Sequence, residues 1–356
     1  MWTRGKHRMA HFPPNSHYRL FYHKKLVDFN FLFLSLAAAL IFIGKKRFSS
    51  AKGDRRCIMK GYYTFEVNPM ISILPQGFND FHCKAGACRH TCCQKWEIDI
   101  DDDTADYYRG LKTPLGQKLR DHMEKGPDGW HFKLTDKGFC ALLRPDGLCE
   151  VITALGEDKL CDICTVHPRF FTYVDEFILC GTGLCCEASC ELLLAPHEPL
   201  TFTEEDTAFV YTFKELMDFM GFPLPESLVH YAPLFSSKSC QSVLDDLMIT
   251  EPIDEAWTEE LRCLQDMIPA LLKKMASYEK VYDPISFDRI YQFIFYRQLD
   301  KVEAYGLDAV SAYARRSTDF IFMETALHGN LGEALRRWSE QIEYDTENVD
   351  WLLERL

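Results

Sequence analysis

The sequence predicts a mainly α protein, in which a loop-rich, cysteine-cluster metal-binding domain is followed by an α-helical domain. Three observations predict it. Twelve of the 15 cysteines fall between Cys83 and Cys190. From about residue 203 onward, apolar residues recur at the three-and-four spacing of amphipathic helices. The charge also reverses near residue 58: the first 58 residues carry 12 Lys and Arg against two acids, Asp28 and Asp54, and the remainder carries 28 basic against 51 acidic residues. The expected organisation is therefore an extension over 1–58, a cysteine-rich metal domain over 59–200 and a helical domain over 201–356.

The extension contains an apolar run from Phe29 to Gly44, followed by Lys45, Lys46 and Arg47. A run of 16 is shorter than the roughly 20 residues that cross a bilayer core, and reaching back to Leu26 brings in Asp28. A signal peptide would need a short basic leader and a small-residue cleavage site, whereas Lys-Lys-Arg follows the apolar core here. The expectation is either a mis-assigned start, with translation beginning at Met59, or a dispensable extension, and a membrane association only if residues 29–44 act as an anchor.

Within 59–200, Met70–Leu74 and Phe177–Cys180 read as strands or extended segments. One helix is expected from about Asp103 to Glu124, capped by Asp102 or Asp103, with Tyr107, Tyr108, Leu111, Leu115, Leu119 and Met123 on one stripe. Gly126-Pro127-Asp128-Gly129 then breaks the chain. Beyond residue 200 the expected helices are Thr203–Met220, Cys240–Met248, Asp254–Tyr278, Ser286–Tyr305, Asp308–His328 and Leu331–Leu356. Gly221, Gly306 and Gly329 mark stops among them. The aromatic residues Phe287, Tyr291, Phe293, Phe295 and Tyr296 read as a core stripe.

Composition narrows the function. The chain has 356 residues, is 47% apolar and 26% charged, and has a formal net charge of −13. That is an ordinary globular balance, and its acidity argues against a nucleic-acid partner. An odd number of cysteines in a chain of this size does not suit a disulfide framework.

The cysteines form local groups. Cys83, Cys88, Cys92 and Cys93 come first, then Cys140 and Cys149, then Cys161 and Cys164 ahead of His167-Pro168-Arg169, and last Cys180, Cys185, Cys186 and Cys190. Thiolates are soft ligands suited to zinc and iron–sulfur clusters. Cys83, Cys88, Cys92, Cys93, Cys140, Cys149, Cys161 and Cys164 are the candidate metal ligands. Eight thiols are twice what one four-coordinate site needs, so one cluster with spares, a cluster plus zinc, and two sites all remain open. The spacing is neither that of a radical enzyme's C-x3-C-x2-C nor the bacterial ferredoxin run. Cys57, Cys240 and Cys263 read as buried free cysteines.

These residues also resemble a known family. The run from Phe81 through Cys83, Cys88, Cys92, Cys93 and Trp96 to Asp99 is similar to the opening signature of flagellin lysine-N-methylases. Gly138–Cys149 and Leu155–Arg169 are similar to the second and third signatures. Cys185-Cys186-Glu187-Ala188 resembles the Ser-Cys-Pro-Glu-Ala step, and Phe295-Tyr296-Arg297 and Ser339–Asn348 resemble late patterns. His167 stands where a tyrosine is usual, and Cys186 and Cys190 are additions. The first two signatures also resemble a broader group of zinc- or iron-chelating cysteine-cluster proteins.

The resemblance implies a cytoplasmic enzyme. It would transfer a methyl group from S-adenosylmethionine to lysine side chains of flagellin, with an iron–sulfur cluster (4Fe-4S, or zinc in its place). The alternative is a zinc- or iron–sulfur-binding module without methyl transfer. No Gly-rich dinucleotide-type loop follows a strand, so the donor pocket is not located by motif. A lysine amine, with an ordinary pKa of about 10.4, must lose a proton before it attacks a methyl group. Glu97, Asp99, Glu150 and Glu157 are acids near the cysteines, and Trp96 or a tyrosine would suit a sulfonium through cation–π attraction. The acids from Asp99 to Asp103 read first as a helix-capping turn, and no catalytic residue is assigned.

Overall fold

A computed structural model of the chain describes residues 70–356 apart from Glu97 and Asp128. The basic extension, its apolar run and Met59 lie outside the described residues, as does Glu97. Among the described residues the architecture is mainly α, with two small sheets. No helix there is long and apolar enough to cross a membrane.

The larger sheet is assembled from distant parts of the chain. Its strands are β1 (Ile71–Pro75), β5 (Arg169–Val174), β6 (Phe177–Thr182), β7 (Thr201–Glu204) and β8 (Val210–Thr212). They run in the order β5-β6-β1-β7-β8, with β1 parallel to β6 and the other pairs antiparallel. The smaller sheet is antiparallel and sets β4 (Gly129–Phe132) between β2 (Ile98–Ile100) and β3 (Met123–Gly126).

Two apolar cores follow from these sheets. The small one gathers Ile98, Ile100, Tyr108, Leu119, Phe132, Leu142 and Val151 with Cys140 and Cys161. The large one packs β1, β6 and β7 against the C-terminal helices. At its centre is the 22-residue helix Leu307–His328, flanked by Ile268–Tyr278, Pro284–Arg297 and Leu331–Gln341. Helix and sheet are pinned together by Tyr296, whose hydroxyl lies 2.9 Å from the Ile73 and Cys180 carbonyls.

The expected helices exist, but most are shorter or divided. In place of one helix to Glu124 there are α1 (Asp102–Gly110) and α2 (Pro114–His122). Pro114 cannot continue a helix because it lacks an N–H and its ring crowds the preceding turn. Thr113 instead caps a new one, accepting the Gly116 N–H at 3.1 Å. The cap of α1 is Asp101, which accepts the Thr104 N–H at 2.8 Å, rather than Asp102 or Asp103. Short helices α3 (Glu150–Leu155), α4 (Asp162–Val166) and α5 (Glu187–Leu194) follow.

Of the expected Thr203–Met220 helix, only α6 (Phe213–Phe219) is helical; its start is a capping box between Thr212 and Glu215. The first part instead supplies the sheet's edge, because pairing with β1 outweighs local propensity. Next come α7 (Ser237–Met248), α8 (Glu255–Asp266) and α9 (Ile268–Tyr278). Pro269 interrupts the hydrogen-bond ladder between the last two. Helix α10 (Pro284–Arg297) stops at Gln298, and α11 (Val302–Tyr305) is a single turn. After the central α12 (Leu307–His328) and α13 (Leu331–Gln341), Asp345 caps α14 (Thr346–Leu353), so the expected last helix is also two. The aromatic stripe Phe287, Tyr291, Phe293, Phe295 and Tyr296 is core, as read from the sequence.

Candidate functional site

The cysteines fall into two neighbourhoods that meet at Cys92 and Cys93. The first is inside the small core. Cys140 donates its backbone N–H to the Cys93 carbonyl at 2.8 Å, which places those two turns side by side. Cys149 immediately precedes α3, and burial raises its thiol. Cys161 immediately precedes α4, and Cys164, three residues on, shares its helix face and is hydrogen-bonded to it.

Cys140, Cys149 and Cys164 sense the charge of neighbouring thiols in this group. Burial, followed by Cys93, Cys149 and Cys161, pushes the Cys140 thiol up to about 12. Cys164 is raised well above the ordinary thiol range, first by its hydrogen bond to Cys161 and then by burial, with Cys93 and Cys140 adding to the effect. Such a group repels a set of bare thiolates but suits a cation that all of them share.

The second neighbourhood is more exposed. Cys83 and Cys88 flank a single 3-10 turn, and Cys185 and Cys186 immediately precede α5. Burial and then Cys186 raise Cys88 to about 11, with Cys83 also contributing. Cys92 is raised first by its hydrogen bond to Cys93 and then by burial, with Cys185 and Cys186 also acting on it.

Two features hold this loop in place. The buried Glu187 carboxylate accepts the His90 N–H at 2.7 Å and pairs with Lys84 at 3.3 Å. Gly86 and Gly147 also approach closely: a Cβ on Gly86 would stand 2.7 Å from the Asp146 carbonyl. Only glycine permits the 83–88 loop to lie against the turn that carries Cys149.

Thus Cys93, Cys140, Cys149, Cys161 and Cys164 come together, whereas Cys83, Cys88 and Cys92 gather with Cys185 and Cys186. The last two were visible as a fourth sequence group but were not among the candidate ligands. All the described cysteines are free thiols. Among the described residues, no three His, Cys, Asp or Glu side chains stand as a ready-made single-ion site. Cys240 is buried as expected, whereas Cys263 is exposed on α8.

A cleft opens beside the junction of the two neighbourhoods. It is an open depression of about 640 Å³, a figure that includes the solvent at its mouth. Cys92 and Cys185 line it, together with Trp96, His167 and Tyr344, and with Glu251, Arg336, Glu340 and Asp345. The Trp96 and His167 rings stack with centroids 6.0 Å apart, and Tyr344 tilts against both at 6.4 and 6.1 Å. Trp96 is held by donating its indole N–H to the Cys92 carbonyl at 2.7 Å. The Tyr344 hydroxyl lies 2.8 Å from His167 Nδ1 and is also hydrogen-bonded to Cys185. His167 Nε2 is buried with no hydrogen-bond partner, and burial lowers the His167 pKa to about 4.

Of the acids singled out from the sequence, the three that lie among the described residues do not line this cleft. Asp99 lies in β2, Glu150 is paired with Lys118, and Glu157 is exposed beyond α3.

Comparison with known proteins finds similarity over about a third of the chain. The chain is 32% identical over 129 residues to a lysine-N-methylase of Salmonella choleraesuis, which is 34% of this chain and 32% of that protein. It is 32% identical over 123 residues to a lysine-N-methylase of Salmonella typhimurium, covering 33% of this chain and 31% of that one. A flagellar biosynthetic protein of Salmonella muenchen, FliU, is 29% identical over 129 residues, covering 34% of this chain and 76% of that one. The matched stretch thus spans about a third of the length of the curated lysine-N-methylases. No family model and no solved structure matches the chain.

Proposed function

We propose, from the premise that this chain is a relative of the lysine-N-methylases, that it is a cytoplasmic protein-lysine N-methyltransferase. It would act on flagellin with S-adenosylmethionine as donor. The observation that carries the reading is the convergence of five thiols on the small core, beside a cleft with an aromatic wall and an acidic rim. The relationship supplies the reaction class, and the cleft supplies a place for it.

The donor set of the small core is all sulfur, which fits an iron–sulfur centre, with zinc as the alternative. Cys93, Cys140, Cys149, Cys161 and Cys164 are the residues that would hold it, four of them at a time. When bound, such a centre would tie together segments of a domain with a small apolar core; held by three thiols instead of four, it would also leave one iron open to a chelating donor. The chain's own residues then bind and orient. In methyl transfer the neutral lysine nitrogen forms a bond to the methyl carbon, the carbon–sulfur bond breaks, and the sulfonium leaves as a neutral thioether. The proton shed by lysine goes to solvent or to a carboxylate of the rim. Closing such a cleft over the reactants excludes water and strengthens every charge interaction within it.

The test is incubation of anaerobically purified full-length protein with labelled methyl donor and flagellin. Label in lysine side chains is the expected result. Its absence from a sample that carries its metal would leave a metal-binding module. Metal analysis and the visible spectrum of the same sample separate iron–sulfur from zinc.

A further inference from the structure

We infer that the Trp96–His167–Tyr344 wall is a receptor for an alkyl cation, a lysine-type ammonium or a sulfonium. The inference rests on the methylase reading for the identity of its ligand, but the geometry stands without it.

Three aromatic rings from separate stretches of the chain meet within 6.4 Å of one another on one side of an open cleft. The negative face of an aromatic ring attracts a cation, tryptophan most strongly. In an ordinary core such rings would be covered by aliphatic side chains. Here the lining also carries Glu251, Glu340 and Asp345.

Arg336 is the cleft's one cationic residue apart from histidine. It is 4% exposed and is engaged by Glu333 at 2.9 Å and Glu340 at 3.2 Å. Glu340 is thereby committed to Arg336 and Arg337, and Glu251 and Asp345 leave the lining net negative. An anionic ligand would meet repulsion, whereas a cation would find both a π face and countercharge.

His167 adds a second, independent sign of a ligand. Its Nδ1 is engaged with Tyr344 and its Nε2 has no partner, although it is buried. A buried polar nitrogen without a partner is costly. If the Tyr344 hydroxyl donates to Cys185, its oxygen accepts from Nδ1–H, and Nε2 then carries a lone pair. That lone pair accepts from an N–H donor, which a lysine ammonium or amine provides and a trimethylammonium or sulfonium does not.

The experiment compares charged ligands with neutral isosteres on the full-length protein, by calorimetry and without turnover. One arm uses a flagellin-derived peptide bearing trimethyllysine against the same peptide bearing its uncharged tert-butyl analogue, together with the unmodified lysine peptide. The other arm uses S-adenosylmethionine against the neutral thioether S-adenosylhomocysteine. We expect roughly tenfold preference for the charged member in one arm, the range of a partly desolvated cation–π contact. The arm that shows it identifies the ligand as substrate or donor.

Trp96→Leu removes the preference, and Trp96→Phe, which keeps a weaker π face, retains part of it. Equal affinity for charged and neutral members in both arms overturns the inference, and that comparison needs no variant to fold. A preference that survives in Trp96→Leu also overturns it. Charge-selective binding with no label appearing in lysine would leave this receptor standing and remove the methylase reading; label without charge selectivity would do the reverse.

Discussion

The Glu187 carboxylate accepts the backbone N–H of His90 at 2.7 Å, and that bond joins the start of α5 to a loop almost a hundred residues earlier. Glu187 is 4% exposed, so the carboxylate cannot turn to water for a substitute. It also faces Lys84 and Arg89. Through it, Cys88 is held near Cys186 and Cys92 near Cys185. Glu187→Ala leaves a buried N–H unpaired and should cost about 1–3 kcal/mol of stability. Urea unfolding measures that loss. Faster modification of Cys83, Cys88 and Cys92 by a thiol reagent would show that the loop has come free. An unchanged rate in a folded variant would mean that something else fixes the loop.

The cysteines of the small core should be separable from the rest by metal content. Cys161 is 1% exposed and sits one helical turn from its partner Cys164. Cys161→Ser and Cys140→Ser are expected to lose most of the bound metal and visible absorbance of an anaerobic preparation. Cys240→Ser and Cys263→Ser are expected to keep them. Iron and sulfide per chain are the readout, and full metal in Cys161→Ser would remove that residue from the ligand set.

What could be read from the sequence was what is local. Cys161 and Cys164 lie on one helix face by their spacing alone, and the aromatic stripe of α10 announces a core at 3.6-residue periodicity. Helix boundaries were harder because Pro114 and Pro269 sit inside otherwise continuous apolar stripes, and a stripe does not reveal a broken ladder. Strands β7 and β8 were hidden for a different reason: β7 is a strand because β1 is there to pair with it, and β8 because β7 is. The aromatic wall was the least legible. Tyr344 reaches His167 across 177 residues, and no spacing rule connects the two. One signal did exist, since His167 is the position at which the third signature departs from the family's tyrosine.

Asp319 makes stability fall with rising pH. The carboxyl lies on α12, accepts the Tyr231 hydroxyl at 2.8 Å, and is pushed up to about 7 by burial, which outweighs the help of Arg315 and Arg316. An unfolded aspartate titrates near 3.9. Below that pH both states are protonated and the fold bears no penalty. Between about 4 and 7 the folded state holds a proton that the unfolded state has released, so stability drains away as pH rises through that window. The full effect is on the order of 4 kcal/mol as an upper bound. Asp319→Asn keeps an acceptor for Tyr231 and should flatten this part of the stability–pH curve, measured as the denaturant midpoint from pH 4 to 8. A slope identical to wild type would exclude Asp319 as its source.

Asp254 should act in the opposite sense. Its Oδ1 caps α8 by accepting the Trp257 N–H at 2.9 Å, and also receives Arg337 at 2.9 Å. Its Oδ2 receives Lys95 at 2.8 Å, so one carboxylate links the segment just after Cys93 to α8 and α13. Burial opposes its charge, but Arg337 and Lys95 outweigh burial and hold the carboxyl well below its ordinary range. The stabilisation is therefore present above about pH 4, where the unfolded aspartate is also ionised, and is lost as pH falls toward the folded-state value. Asp254→Ala removes the cap and both charge-assisted bonds and should cost about 2–3 kcal/mol at pH 7. Asp254→Asn retains the cap and should cost less. Unfolding midpoints at pH 7 and pH 3 check the sign: the gap between wild type and Asp254→Asn should be widest at pH 7 and should narrow at pH 3. A gap that is the same at both pH values would show that the ion pairs contribute nothing and that Asp254 serves as a cap alone.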